Sequence, residues 1–436
     1  MLSMLDFSTR ELTQRELAAA LPRASMDVEA ALRQVQPVIA DVAERGGLAI
    51  REWTTKFDGC DPTTLKVPNE VISQALETLD KDVRAALEIS IDHNRMGHEA
   101  QLPEEKETEI IPGGIVRQRW IPVNRVGLYA PGGLAVYPSS VIMNVVAAQV
   151  AGVKEIAVAS PPQKEFDNYP HPTILAACAL LGVEEVWAMG GAQAIAGFAY
   201  GFTDGQDECA PVDVVTGPGN IFVAAAKRAV QSLCGIDAEA GTTEIAIIAD
   251  DSADPDYVAR DLISQAEHDP AAASVLITDS QKLASRVNEA VEQMVPHTKH
   301  SERIREALTG PQSGIVITRD ITQSIDVANA FAAEHLEIQT ANAREDAQRI
   351  TNAGAIFVGS FSPVSLGDYI AGSNHVLPTG GTARYASGLN VHAFIKSVQE
   401  IEYSAQALTQ LATPLAALAD AEDLPAHGEA ARERHT

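Results

Sequence analysis

Three short runs rich in valine and isoleucine start at nearly even intervals: "VKEIAVAS" at Val153, "VEEVWAMG" at Val183 and "VDVVTGPG" at Val212. Their starts lie 30 and 29 residues apart (153 to 183 to 212), the length of a strand plus the helix that carries the chain back. A second series follows, with "EIAIIAD" at Glu244, "SVLITDS" at Ser274, "GIVITRD" at Gly314 and "GAIFVGS" at Gly354. Helix-spaced apolar positions separate the runs. Strands that are apolar almost throughout must be covered on both faces, which implies parallel sheets between layers of helix. The expected fold is therefore α/β, with two Rossmann-like, incomplete, doubly wound parallel sheets and a cleft between them as the default ligand site.

The ends of the chain read differently. "MDVEAALRQVQPVIADVAERGG" and "VISQALETLDKDVRAALEISIDHN" have helical spacing, so the first 110 residues look mainly helical. Beyond about Val391 the strand rhythm stops, and "IEYSAQALTQLATPLAALADAEDLPAHGEAARERHT" reads as helix. With no low-complexity linker, the units are expected to interleave. The division is an N-terminal arm over 1–23, a discontinuous first α/β domain over 24–134 plus 244–389, a second α/β domain over 135–243, and a helical tail over 390–436.

Acidic residues outnumber basic ones 59 to 32, a formal charge of −27, which argues against nucleic-acid or anionic-membrane binding through a basic surface. Cys60, Cys178, Cys209 and Cys234 show no CxxC or metal-type spacing, as suits a reducing cytosol. The N-terminus has no secretory apolar core, and no apolar run approaches the roughly 20 residues of a membrane span. A cytoplasmic protein is expected.

Several stretches could carry chemistry. "AAEHLEIQT" sets Glu334 beside His335 where a helical pattern gives way to an alternating one. Neighbours on a helix or a strand diverge, so the pair is either a surface acid beside a half-buried histidine or an acid–base pair converged by the junction. In "DLISQAEHDP", Gln265 and His268 share a helix face just before Asp269 and Pro270 end it, which fits half a metal site or a satisfied helix-end histidine. "AMGGAQAIAGFAYG" and "VTGPGN" place glycines after strands, where backbone N–H groups can approach a phosphate, although neither matches G-x-G-x-x-G. Tyr129 lies in "VGLYAPGGLAVYPSS", where its ring could line a nucleotide pocket or plug the core. Asp368 and His375 fall in a long Gly/Ser/Thr-rich loop, and Glu422 and His427 in a tail that would ordinarily fray.

Together these stretches, with "YPSSVIMN", "GGAQAIA", "GPGNIFVAAAKR", "GDYIAGSNHVLPTGG" and "EDLPAHGEA", fall in the order and spacing of the histidinol dehydrogenases. The sequence resembles that family from about Leu21 to the C-terminal helix. The resemblance implies a zinc- and NAD-dependent homodimer that oxidises L-histidinol through L-histidinal to L-histidine, the last steps of histidine biosynthesis, with one Zn2+ per subunit and two NAD+ consumed. It implies Gln265, His268, Asp368 and His427 as zinc ligands and Glu334 and His335 as the acid–base pair. Tyr129, Gln193 and Asn220 match NAD-contacting positions, within a second domain that binds the nucleotide. Thr243, Gln265, His268, His335, Asp368, His375, Glu422 and His427 match substrate-side positions. The tail would reach the partner subunit, so that Glu422 and His427 complete the neighbour's site.

One departure stands out: "GTTE", Gly241 to Glu244, replaces the family's Gly-Pro-Ser/Thr-Glu. Thr243 keeps a hydroxyl, while Thr242 gives up the fixed φ of a proline. Three rival readings remain. A cysteine thiohemiacetal route needs a thiol of lowered pKa, and no base neighbours any cysteine in sequence. A related zinc dehydrogenase could act on another small alcohol, and a zinc-stabilised binding protein could have lost turnover.

Overall fold

The computed structural model describes residues 1–24, 28–132, 135–239 and 241–434; Gly133 and Leu134 of the Tyr129 stretch lie outside them. Two parallel sheets organise the chain. The first runs in the order Ser3–Asp6, Gly314–Ile317, Ala273–Thr278, Glu244–Ala249, His335–Gln339, Ala355–Val358. The second runs Gly235–Ile236, Val214–Thr216, Arg125–Tyr129, Glu155–Ser160, Glu185–Ala188. Numbered within its own series, each sheet has the order 3-2-1-4-5, with Ser3–Asp6 added at one edge of the first. This is the doubly wound arrangement, in which the chain reverses direction beside the first strand and leaves a crevice there.

Burial on both faces explains why these runs are apolar throughout. In Glu244–Ala249, Ile245, Ile247 and Ala249 enter one core, while Ala246 and Ile248 enter another on the opposite face. Val126 and Leu128 face one core of the second sheet, and Tyr129, Ala157 and Ala159 face the other. Each large side chain so buried contributes on the order of 1.5–3 kcal/mol.

The sheets depart from the sequence-based division in three places. Arg125–Tyr129, placed with the first unit by the 24–134 boundary, pairs on both sides within the second sheet. The run is five residues long and its partners follow some 30 and 90 residues later, so local pattern carries no sign of its sheet. Within the arm over 1–23, Ser3–Asp6 is an edge strand paired with Gly314–Ile317. The tail over 390–436 opens with a nine-residue strand, Ile395–Tyr403, before its helices Ala405–Ala421 and Pro425–Arg432. That strand joins Gly114–Pro122 and Lys106–Ile111 in a small antiparallel sheet. Its exposed face carries Arg117 against Glu107, Glu400 and Glu402, and charged residues hide the alternation that would reveal it.

The strand His335–Gln339 carries buried polar groups on one face. Gln339 Nε2 donates to Glu337 Oε2 at 3.2 Å and to Asp261 Oδ2 at 3.3 Å. Burial pushes Asp261 up to about 6, and burial followed by the Asp261 charge pushes Glu337 well above the usual carboxylate range. The folded chain therefore holds these protons more tightly than the unfolded chain. Their contribution to stability is complete below the unfolded carboxylate pKa and is lost as pH rises through about 6 for Asp261 and through the raised value of Glu337. Glu337→Gln should flatten the fall in thermal stability between pH 5 and pH 8 by on the order of 1–2 kcal/mol. Melting curves across that range check it; a wild-type-like pH slope in the variant would contradict it.

Candidate functional site

Glu334 and His335 stand where a helix stops and a strand begins. The helix Ile321–Phe331 ends on Ala332, whose φ of 51° lies in the left-handed region that normally favours glycine. Two residues later Glu334 reaches the lip of the sheet, and His335 is the first residue of its strand. The turn lets consecutive side chains converge: His335 Nδ1 lies 3.6 Å from Glu334 Oε2, and His335 Nε2 lies 3.7 Å from Asp368 Oδ1. Both distances exceed a hydrogen bond, so the buried ring keeps two unpartnered nitrogens.

A short chain of hydrogen bonds fixes the acid. Thr243 Oγ1 donates to Glu334 Oε2 at 2.5 Å, and the Glu244 N–H donates to the same oxygen at 2.9 Å. Gln265 Nε2 in turn donates to Thr243 Oγ1 at 2.7 Å, which leaves Gln265 Oε1 buried without a partner. Burial pushes Glu334 up to about 7 against the pull of the Thr243 and Glu244 donors. Burial also holds His335 and His375 below the ordinary histidine value. Both rings are thus neutral at neutral pH, and Glu334 is poised near its midpoint.

These groups open into a cavity of about 650 Å³ between the sheets. From the first sheet come Thr243, His268, Glu334 and His335; from the second come Tyr129 and the loop Pro218–Gly219–Asn220; Asp368 and His375 close the side. His375 Nδ1 lies 2.9 Å from the Asp368 carbonyl and its Nε2 lies 3.0 Å from Ser140 Oγ. Nδ1 therefore donates to that carbonyl, and Nε2 accepts from the Ser140 hydroxyl.

The cleft uses opposite ends of the two sheets. Tyr129 ends its strand, and the helices Gly191–Tyr200 and Ile221–Val230 begin just beyond the ends of the strands that precede them. Their N-termini carry positive partial charge, which suits an anion such as a pyrophosphate. On the other wall Glu244 and His335 begin their strands, and the helices Pro255–Ala266 and Ile321–Phe331 end there. Helix C-termini carry partial negative charge and favour a cation.

Among the proposed metal ligands, His268 Nε2 and Asp368 Oδ2 stand 4.0 Å apart, and the open Gln265 oxygen lies on the same helix as the approach to His268. Among the described residues no group of three or more His, Cys, Asp and Glu converges to hold a metal. One chain therefore offers two strong donors and a neutral amide oxygen. This fits a zinc site that draws a further ligand from elsewhere. His427 and Glu422 are exposed on the tail and do not line the cavity. Gln193 also falls outside its wall: it is buried beside Asp58, with Nε2 3.5 Å from Asp58 Oδ2, behind Tyr129, whose hydroxyl accepts from Gly191 N–H at 3.2 Å.

Sequence reasoning singled out neither Tyr137 and Asp269, which line the cavity, nor Ser140, which holds His375, although "YPSS" and "EHDP" were in view. The four thiols are buried, and burial raises Cys178 and Cys209 to about 12 and Cys234 to about 11. None lines the cavity, which counts against a cysteine nucleophile.

The family profile for histidinol dehydrogenase matches residues 21–435. A histidinol dehydrogenase of Thermobifida fusca is 59% identical over 95% of this chain and 94% of its own. Another from Mycolicibacterium smegmatis is 57% identical over 99% and 98%. The crystal structure of histidinol dehydrogenase from Elizabethkingia anophelis superposes with a TM-score of 0.92 at 29% identity, covering 99% of this chain and 98% of that one.

Thr243→Val should remove a donor that holds the Glu334 charge. The carboxyl would then titrate higher by about one unit. Difference infrared spectra of metal-free Thr243→Val, set against the same variant with Glu334→Gln, read that shift; an unmoved carboxyl band would count against the hydroxyl's role.

Proposed function

The chain belongs to the histidinol dehydrogenase family, and we propose that it oxidises L-histidinol through L-histidinal to L-histidine with two NAD+. The observation that carries the reading is one cavity lined both by the Glu334–His335 junction and by the Tyr129–Asn220 side of the second sheet. Zinc would be held by Gln265, His268 and Asp368 of one chain and by His427 of a second copy. When bound, zinc supplies a template for the substrate's imidazole and amino nitrogens, and NAD+ supplies a hydride acceptor.

The chain's own residues then divide the proton work. His335, kept neutral by burial, takes the hydroxyl proton of the alcohol as hydride leaves the same carbon, which yields the aldehyde. Water adds to that aldehyde, and Glu334, raised to about 7, takes the proton of the adding water. The hydrate oxyanion left when Glu334 takes that proton loses a second hydride to the second NAD+. The carboxylic acid that results releases its remaining proton to solvent to give the carboxylate. Thr243 keeps Glu334 aimed through both steps, and His375 offers its Nε2 side toward Ser140 and the cavity wall. Glu422, from the second copy, suits a substrate that carries positive charge in solution.

NADH formation from L-histidinol, with and without a chelator, tests the reading. Turnover that stops on chelation and returns with zinc is expected. Zinc-loaded protein that forms no histidine would overturn it.

Two variants test the roles. Glu334→Gln should slow aldehyde oxidation at least tenfold more than alcohol oxidation, as a base used in one half-reaction requires. Equal slowing of both half-reactions, measured separately, refutes the division. His427→Asn should weaken zinc binding, and mixing it with Glu334→Gln should restore up to about a quarter of wild-type activity through hybrid pairs with one intact site. Mixtures that never exceed the single variants would argue against a shared site.

A further inference from the structure

Lysine is almost never fully buried unless paired. Lys227, on the helix Ile221–Val230, has a side chain only 1% exposed, and its partner Asp237 is 4% exposed. Lys227 Nζ lies 2.5 Å from Asp237 Oδ1 and donates to the Gly217 carbonyl at 3.0 Å. Asp237 Oδ2 accepts the Gly217 N–H at 2.9 Å. Both backbone polar groups of one residue are thus taken by one ion pair.

Gly217 is where such a grip matters. Its φ of 125° lies in the left-handed region, and a Cβ there would come within 2.0 Å of the Tyr129 carbonyl oxygen. Gly217 therefore presses against the end of the Tyr129 strand and launches the loop Pro218–Gly219–Asn220 into the cavity. Asn220 then starts the next helix by accepting from Phe222 and Val223 N–H at 3.0 and 3.2 Å. Asp237 has a second neighbour of interest. It follows Gly235–Ile236, the last strand of the second sheet, and precedes the crossover that delivers Thr243 and Glu244 to the first. One ion pair ties the loop on one wall of the cleft to the segment that leads to the other.

We propose that Lys227 and Asp237 are positioning residues for the nucleotide, fixing the Gly217–Asn220 loop against the crossover so that cofactor and substrate walls keep one spacing. The proposal rests on the reading that NAD+ lies against Tyr129 and Asn220. Neither residue touches the reacting atoms, so their loss should act on nucleotide binding and spare the chemical step.

The test uses Asp237→Asn and the charge-neutral double variant Lys227→Met/Asp237→Asn, which leaves no isolated buried charge to unfold the chain. NAD+ affinity is measured by calorimetry alongside steady-state kinetics, with thermal melts to confirm folding. The double variant should bind NAD+ about tenfold more weakly and raise KM for NAD+ to match, with kcat at saturating NAD+ and KM for histidinol within about threefold of wild type. Asp237→Asn alone, which strands the buried Lys227 charge, should weaken NAD+ binding at least as much and melt lower than the double variant. A folded double variant with wild-type NAD+ affinity would overturn the positioning role alone, as would a fall in kcat without a change in NAD+ binding. Wild-type protein that binds no NAD+ would overturn the cofactor reading and this proposal with it.

Discussion

A carboxylate kept from water must find donors or give up its charge, and Glu334 stands between the two outcomes. One oxygen accepts from the Thr243 hydroxyl and the Glu244 N–H, while burial drives the group toward protonation. Remove the donors and the acid would be neutral; expose it and it would be an ordinary anion. The same Thr243 hydroxyl takes a hydrogen bond from Gln265 and so leaves that amide oxygen open. One small side chain thus sets both the hydrogen bonding of the acid and the orientation of the Gln265 amide. Both bonds are made by the Thr243 hydroxyl.

The larger arrangement serves the same end. The two sheets share one strand order yet present opposite ends to the cleft. One wall is therefore made of helix N-termini and the other of helix C-termini, each the equivalent of roughly half a charge of opposite sign. Backbone polarity thus favours an anion on one side of the cavity and a cation on the other, where the carboxylates Asp368 and Glu334 also stand. The overall charge of −27 says little about the site, whose own acids are Asp269, Glu334 and Asp368.

Both α/β series could be read from the sequence because parallel strands buried on two faces leave long apolar runs at regular intervals. The charged antiparallel sheet could not, since Ile395–Tyr403 and Lys106–Ile111 face water and carry glutamates where alternation would show. Arg125–Tyr129 was misassigned because its pairing is decided by residues far along the chain. At the site, Glu334 and His335 were legible as a junction, and their convergence depends on Ala332 adopting a conformation no local rule assigns to alanine. The positions of Gln193, Glu422 and His427 came from family resemblance, and within one chain none of the three lines the cavity. The Lys227–Asp237 pair left no motif, because an ion pair ten residues apart looks like any other surface pattern until both partners prove buried.

The shared strand order also leaves a spare end. At the carboxyl edge of the first sheet, where a doubly wound fold usually gathers its ligand, Asp250 accepts from Ala341 N–H at 2.9 Å, and Asp250, Asp320 and Asp251 add to the burial that raises Asp279. That rim is remote from Glu334, which lies across the full length of the strands, roughly 15–20 Å away by strand geometry. An affinity tag, reporter or surface tether grafted onto that rim would sit a full strand length from Glu334.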